Sequence, residues 1–120
     1  MTGPILIVVD DLIFLSKIQQ TAQQVGVPIK IVEPSKVVEC AAEFLSRSVI
    51  LDLNHQSGSS VQVARAVKTN PATQHVQVVG FLSHVQTDLA EKAREAGCDM
   101  VMARSAFSQQ LPQLLLKMAD

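Results

Sequence analysis

The chain has 120 residues, of which 48% are hydrophobic, and we expect residues 1–120 to form one domain with a buried core. Its formal net charge of −1 argues against a surface that attracts nucleic acid or an anionic membrane. No apolar run approaches the roughly 20 residues that span a bilayer, and residues 1–4 lack the basic start of a signal peptide. Cys40 and Cys98 fit neither a metal spacing nor a disulfide framework. Together these features predict a cytoplasmic protein.

Short apolar runs rich in β-branched residues alternate with segments whose apolar residues recur at helical spacing. In chain order the predicted elements are a strand at 5–9, a helix at 14–25, a strand at 29–32, a helix at 36–45, a strand at 49–53, a helix at 61–69, a strand at 77–82, a helix at 89–96, a strand at 100–103 and a helix at 108–118. Residues 55–60 form a loop by composition.

Several residues mark where these helices begin and end. Gly26 and Gly97 stand where a helix commonly ends in a left-handed residue. Ser35 and Ser108 are N-cap candidates for the second and fifth helices. Pro112 would then lie in the first turn of the last helix, where the loss of a backbone N–H costs little.

Strictly alternating strands and helices, with strands apolar on both faces, predict a parallel sheet covered on both sides. Five strands and five helices in this length suit a flavodoxin-like (βα)5 three-layer α/β sandwich with strand order 2-1-3-4-5. Ligands bind such sheets at the carboxyl ends of the strands, between strands one and three. The polar residues predicted at that edge are Asp10, Asp11, Asp52, Ser83 and Arg104.

Three carboxylates gathered at one edge repel each other and require a cation. Mg²⁺ suits them, since it binds one or two carboxylates and accepts phosphate oxygens as further ligands. Asp52 in the central strand is placed as a nucleophile toward phosphorus. Ser83 and Arg104 are candidates to bind phosphoryl oxygens.

These residues resemble the receiver domain of two-component response regulators (the CheY-like superfamily) over essentially the whole chain. The matching segments are Val8-Val9-Asp10-Asp11, Ile50-Leu51-Asp52-Leu53-Asn54, Phe81-Leu82-Ser83 and Ala96-Gly97-Cys98-Asp99. The resemblance implies that Asp52 is the phospho-acceptor and that Ser83 is the switch residue. It also implies that Asp10, Asp11, Asp52 and the backbone carbonyl of Asn54 hold Mg²⁺, and that a histidine kinase or phosphotransfer protein and a downstream protein are the partners.

The sequence departs from this family at four places. Arg104-Ser105 stands where the family has Lys-Pro, and a planar guanidinium is not equivalent to a compact ammonium. Val101 stands where an aromatic residue usually rotates inward on activation. The loop after Asp52 has His55-Gln56 in place of Met-Pro, and Leu12 replaces a frequent acidic residue.

Other interpretations remain open. In a phosphorylation-independent pseudo-receiver, Arg104 would bridge the acids permanently, and the face of helix four, strand five and helix five would bind a partner or a second copy of the chain. Asp10 and Asp11 also suit the N-terminus of the first helix, where acidic residues are favoured. That role would explain one of the two acids, but it would not explain Asp52. A flavin-binding flavodoxin is disfavoured because the acidic pair would repel the flavin phosphate. His55 and His84 follow strands three and four, and loop histidines are more often solvated than metal ligands.

Overall fold

The computed structural model describes residues 3–83 and 86–119. The strands are β1 (Ile5–Val8), β2 (Ile29–Ile31), β3 (Ser48–Asp52), β4 (Gln77–Leu82) and β5 (Met100–Ala103). The helices are α1 (Leu12–Val25), α2 (Val37–Phe44), α3 (Ser60–Thr69), α4 (Thr87–Glu95) and α5 (Arg104–Ala119), with a 3₁₀ turn at Pro34–Lys36 before α2. Within these ranges no helix is both long enough and apolar enough to cross a bilayer.

The five strands form one parallel sheet in the order β2-β1-β3-β4-β5, which confirms the predicted topology. The central strand β3 pairs with β1 on one side, Ile7 opposite Ile50, and with β4 on the other, Ile50 opposite Val79. In the second pairing Asp52 lies opposite Phe81, so the carboxyl ends of β3 and β4 are level. The order reverses between β1 and β3, and polar residues that follow these strands therefore meet at one edge.

Each face of the sheet has its own core, because alternate residues of a strand point to opposite faces. One face carries α1 and α5, and Ile7, Ile50 and Phe81 pack there against Phe14 and Phe107. The other face carries α2, α3 and α4 over the remaining strand residues. Burial on both faces is why the strands are almost continuously apolar.

The ends of α1 follow from single residues. Asp11 is the N-cap, since its side chain accepts hydrogen bonds from the backbone N–H groups of Ile13 and Phe14. Gly26 ends the helix in the left-handed region at φ 73°, which confirms the prediction at that position. The N-terminal interpretation of the acidic pair therefore holds for one acid, Asp11.

The predicted start of α5 was wrong. The helix begins at Arg104, not Ser108, and Pro112 lies in its interior rather than in the first turn. An interior proline removes one helical hydrogen bond, at a cost of about 3 kcal/mol. The burial of Phe107 and Leu111, at helical spacing on the same face, outweighs that cost.

Ser35 does not cap α2, because it lies inside the 3₁₀ turn and the helix begins after Lys36 without a side-chain cap. The third strand also begins and ends one residue earlier than predicted, at Ser48 and Asp52. Asp52 is therefore the last residue of β3, and Asn54 already belongs to the following turn.

Candidate functional site: an acidic pocket with an arginine

Asp52 ends the central strand as a buried carboxylate with a relative exposure of 2%. Its Oδ1 accepts a hydrogen bond from the backbone N–H of Asn54 at 2.8 Å. Its Oδ2 lies 3.5 Å from Nη2 of Arg104. Burial raises the pKa of Asp52 above its ordinary value, and the N–H of Asn54 and the charge of Arg104 act in the opposite direction.

Asp11 has two functions in the structure. Its Oδ1 caps α1, accepting from Ile13 N–H at 3.0 Å and from Phe14 N–H at 3.1 Å. Its Oδ2 accepts from Nη1 of Arg104 at 3.1 Å. The N–H of Phe14 and then the Arg104 guanidinium lower the pKa of Asp11, which keeps this carboxylate ionised.

Asp10 is turned toward the loop between β3 and α3. Its Oδ2 accepts a hydrogen bond from the backbone N–H of Gln56 at 3.0 Å. The carboxylate therefore links the end of β1 to the loop that covers the end of β3. This link involves a backbone N–H, so the residue type of Gln56 gave no sequence signal for it.

Arg104 is the cation of the pocket and the first residue of α5. Its two terminal nitrogens bridge Asp11 and Asp52, as described above. The guanidinium carbon lies 4.7 Å from the ring centroid of Phe14 and 5.6 Å from that of Phe81, within the range of cation–π attraction. Nε of Arg104 is buried and has no hydrogen-bond partner among the described residues. The guanidinium is thus held in place, but its capacity to donate hydrogen bonds is incompletely used.

Carboxylate oxygens are the donors that Mg²⁺ prefers, and the types of residue at this edge fit the ion. The arrangement of these residues in the structure does not fit the ion. Within residues 3–83 and 86–119, no group of three or more His, Cys, Asp or Glu side chains is placed to hold a metal ion. Arg104 takes up oxygens of Asp11 and Asp52, and Asp10 is turned toward Gln56. A metal would bind here only after Arg104 released the carboxylates.

Ser83 follows β4 and is exposed, and it reaches the pocket through Asn54. The backbone N–H of Ser83 donates to Oδ1 of Asn54 at 2.8 Å, and Nδ2 of Asn54 donates to Oε1 of Gln86 at 2.8 Å. The structure therefore brings five predicted residues to one edge of the sheet, with Asp52 and Arg104 in direct contact and Ser83 linked through Asn54.

The other sequence features near this edge are less involved. Nδ1 of His55 lies 2.9 Å from Oγ of Ser57 and accepts from the N–H of that serine, so this histidine organises its own loop. His84 lies outside the described residues. Leu12 is 79% exposed beside the pocket. Val101 packs partly buried on the α2–α3–α4 side of the sheet.

Three contributors to the site were missed by the sequence reasoning. Phe14 was placed in the first helix and Phe81 in the segment that leads to Ser83, and neither was named as a site residue, yet they form the aromatic platform beneath Arg104. Gln86 was not singled out, because its partner, Asn54, is 32 residues away in the chain. A signal existed only for the aromatic residues, since three of the four phenylalanines fall on elements that end or begin at this edge.

No protein-family model matches the sequence, and no curated protein sequence matches it. Solved structures do. A response regulator from Hahella chejuensis superposes with a TM-score of 0.84 at 19% identity, covering 98% of this chain and 95% of that one. The phosphorylated cyanobacterial phytochrome response regulator RcpA gives 0.75 at 19% identity, covering 98% and 91%. The Mn²⁺-bound form of response regulator Rcp1 gives 0.78 at 14% identity, covering 98% and 95%. At these identities the likeness shows the fold alone: the chain has the same flavodoxin-like α/β fold as these response regulators.

Proposed function

We propose that this chain is a two-component signalling receiver that accepts a phosphoryl group on Asp52 and signals through its altered surface. The observation that carries the proposal is the state of Arg104 beside Asp52. Its contact to Oδ2 is long, at 3.5 Å, and its Nε has no partner among the described residues. A guanidinium with free donors beside a carboxylate nucleophile suits the binding of phosphoryl oxygens.

In the proposed step, Oδ2 of Asp52 attacks the phosphorus of a phosphohistidine on a histidine kinase or phosphotransfer protein. An O–P bond forms and the P–N bond breaks, and the leaving imidazole takes a proton from solvent. Arg104 would bind a phosphoryl oxygen, and the exposed hydroxyl of Ser83 would bind another. The chain would catalyse at most its own phosphoryl transfer and dephosphorylation, so we classify it as a signalling protein rather than an enzyme.

The attack requires Arg104 to move away from Oδ2 of Asp52, because the carboxylate is buried beneath it. The side chain of Arg104 is 30% exposed and can swing toward solvent. Loss of its aromatic platform would cost about 1 kcal/mol. An open state a few kcal/mol above the closed one is populated at roughly 0.1–10%, which is sufficient for a phosphodonor to select it.

Mg²⁺ is the ion that we propose for the open pocket. Asp10, Asp11, Asp52 and the backbone carbonyl of Asn54 would hold it, and the ion would neutralise charge on the phosphoryl oxygens. Because Arg104 contacts two of these carboxylates, the metal and the guanidinium compete for the same oxygens.

A second candidate follows from the same bridge. If Arg104 never leaves, the pocket is permanently closed by its own cation, and the domain is a phosphorylation-independent interaction module. The two contacts to carboxylates and the aromatic platform favour this alternative. The expected binding face is then formed by α4, β5 and α5, with a partner protein or a second copy of the chain as occupant.

The two candidates predict different spectra. Amide-resolved NMR would be recorded with Mg²⁺ and then with Mg²⁺ plus beryllofluoride, a mimic of the aspartyl phosphate. Under the first candidate, signals around Asp52, Ser83 and Arg104 shift, and the shifts are absent in Asp52→Asn. Unchanged spectra at millimolar Mg²⁺ and beryllofluoride would exclude phosphoryl acceptance. The second candidate, a phosphorylation-independent interaction module, would then remain.

A further inference from the structure

The side chain of Asn54 connects the loops that follow β3 and β4. Because the backbone N–H of Ser83 can only donate, the atom of Asn54 that faces it must be the amide oxygen. The amide nitrogen then faces Gln86, whose Oε1 accepts from it. The orientation of the amide is thus fixed by its partners, and Asn54 uses one donor and its acceptor in two different contacts.

Asn54 also contacts the pocket directly. Its backbone N–H donates to Oδ1 of Asp52 at 2.8 Å, so the same residue holds the carboxylate and the loop after β4. A change in the charge or position of that carboxylate therefore acts directly on the backbone of Asn54, as it does on Arg104.

On the other side of the link, Gln86 is the residue immediately before α4. Its backbone carbonyl accepts the hydrogen bond from Ala90 N–H at 2.9 Å that begins the helix, but its side chain makes no capping bond. That side chain accepts from Asn54 instead. Gln86 also lines a groove of about 200 Å³ between α4 and β5, together with Leu82, Ala90, Val101 and Met102.

We propose that Asn54 is a positioning residue that couples the acidic pocket to the start of α4 and its groove, through its hydrogen bonds to Ser83 and Gln86. The inference rests on the proposed signalling function, because it names the route by which that pocket changes a surface. The link consists of two hydrogen bonds, and it does not depend on the rotation of an aromatic side chain at position 101, which is a valine in this chain. Each bond is within the ordinary range, at 2.8 Å.

The test uses mutation of the pocket in place of a phosphodonor. Asp52→Asn removes the buried charge, and the shifts of the α4 amides (residues 87–95) relative to wild type measure what reaches the helix. In a Gln86→Ala background the same change at Asp52 is expected to shift those amides at least threefold less. Gln86→Glu keeps an acceptor for Nδ2 of Asn54 and is expected to restore the effect. Gln86 is exposed, so neither variant endangers the fold.

The inference is overturned if Asp52→Asn leaves α4 unshifted in the wild-type background, or if the shift is equally large in Gln86→Ala. It is also overturned if Gln86→Glu behaves as Gln86→Ala does, since only a structural effect of the substitution would then remain. No phosphoryl group takes part in this test. The coupling can therefore stand while phosphoryl acceptance fails, and the beryllofluoride spectra distinguish the two results.

Discussion

If the pocket binds Mg²⁺ as proposed, replacing Arg104 by lysine should strengthen that binding. The substitution keeps one positive charge at the pocket, so the long-range field is unchanged. It removes the planar fork that reaches Asp11 and Asp52 together, and it removes the stack over Phe14, 4.7 Å from the guanidinium. The stack alone is worth about 1 kcal/mol, which is a factor of about five in an equilibrium constant. Since the proposed ion would compete with this side chain for oxygens of Asp11 and Asp52, the apparent Kd for Mg²⁺ should fall about fivefold in Arg104→Lys.

The assay is a titration of the amide signals around Asp52 and Asn54 with Mg²⁺ at constant ionic strength. Arg65→Lys is the matched control, because it makes the same substitution at an exposed residue of α3, away from the pocket. Its affinity for Mg²⁺ should equal that of wild type. If Arg104→Lys binds Mg²⁺ as weakly as wild type, or more weakly, then Arg104 does not compete with the ion, and the bridge is not what closes the pocket.

Three further substitutions test the packing and the charges. Ser46→Ala should raise the free energy of unfolding by about 1 kcal/mol, because the buried hydroxyl of Ser46 has no hydrogen-bond partner within the described chain. Ser48→Ala should lower the free energy of unfolding by about 1 kcal/mol, because it removes a hydrogen bond to a backbone carbonyl of α5. Equal urea midpoints for the two variants would contradict this. Gly97→Ala should cost about 1–2 kcal/mol, because φ is 111° and a Cβ would lie 2.6 Å from Cγ of Lys68; an unchanged thermal midpoint would disprove the clash. Asp11 has a lowered pKa, so its carboxylate stabilises the fold above the ordinary Asp pKa and this contribution is lost as pH falls through the lowered value. Urea midpoints between about pH 6 and about pH 2.5 should therefore fall less steeply in Asp11→Asn, and a slope identical to wild type would refute the assignment.

The topology was predictable because the signals for it are local and repeated. Each strand is a short apolar run and each helix has its own period, and a parallel sheet with helices on both faces is the arrangement that buries them. The start of α5 was not predictable by the same means. Ser108 has a side chain that can cap a helix N-terminus, but Phe107 lies inside the helix, where its ring centroid is 4.7 Å from that of Phe81. This is a tertiary contact that outweighs a local preference.

The site was also predictable from the sequence only in part. Chain topology sufficed to place Asp52, Asp11 and Arg104 at one edge, because the carboxyl ends of parallel strands lie together. Their roles in phosphoryl transfer remain predictions. What the sequence did not show is how the side chains pair, since the bond of Asp10 is to a backbone N–H and that of Asn54 is to a glutamine on another loop. Such contacts depend on loop conformation, which leaves no periodic pattern.

Val101 and Arg104, two residues at which the sequence differs from the receiver pattern that it resembles, are compatible with the proposed function. Val101 lines the groove between α4 and β5 and is partly buried against the α2–α3–α4 core, so the groove has no aromatic side chain at that position. The guanidinium of Arg104 lies over the rings of Phe14 and Phe81, and this contact favours the position in which it bridges Asp11 and Asp52. Under the proposed function, a signal from the pocket would therefore reach α4 without an aromatic side chain at residue 101. The hydrogen bonds of Asn54 would provide such a route, because they join the carboxylate of Asp52 to Gln86, the residue immediately before α4.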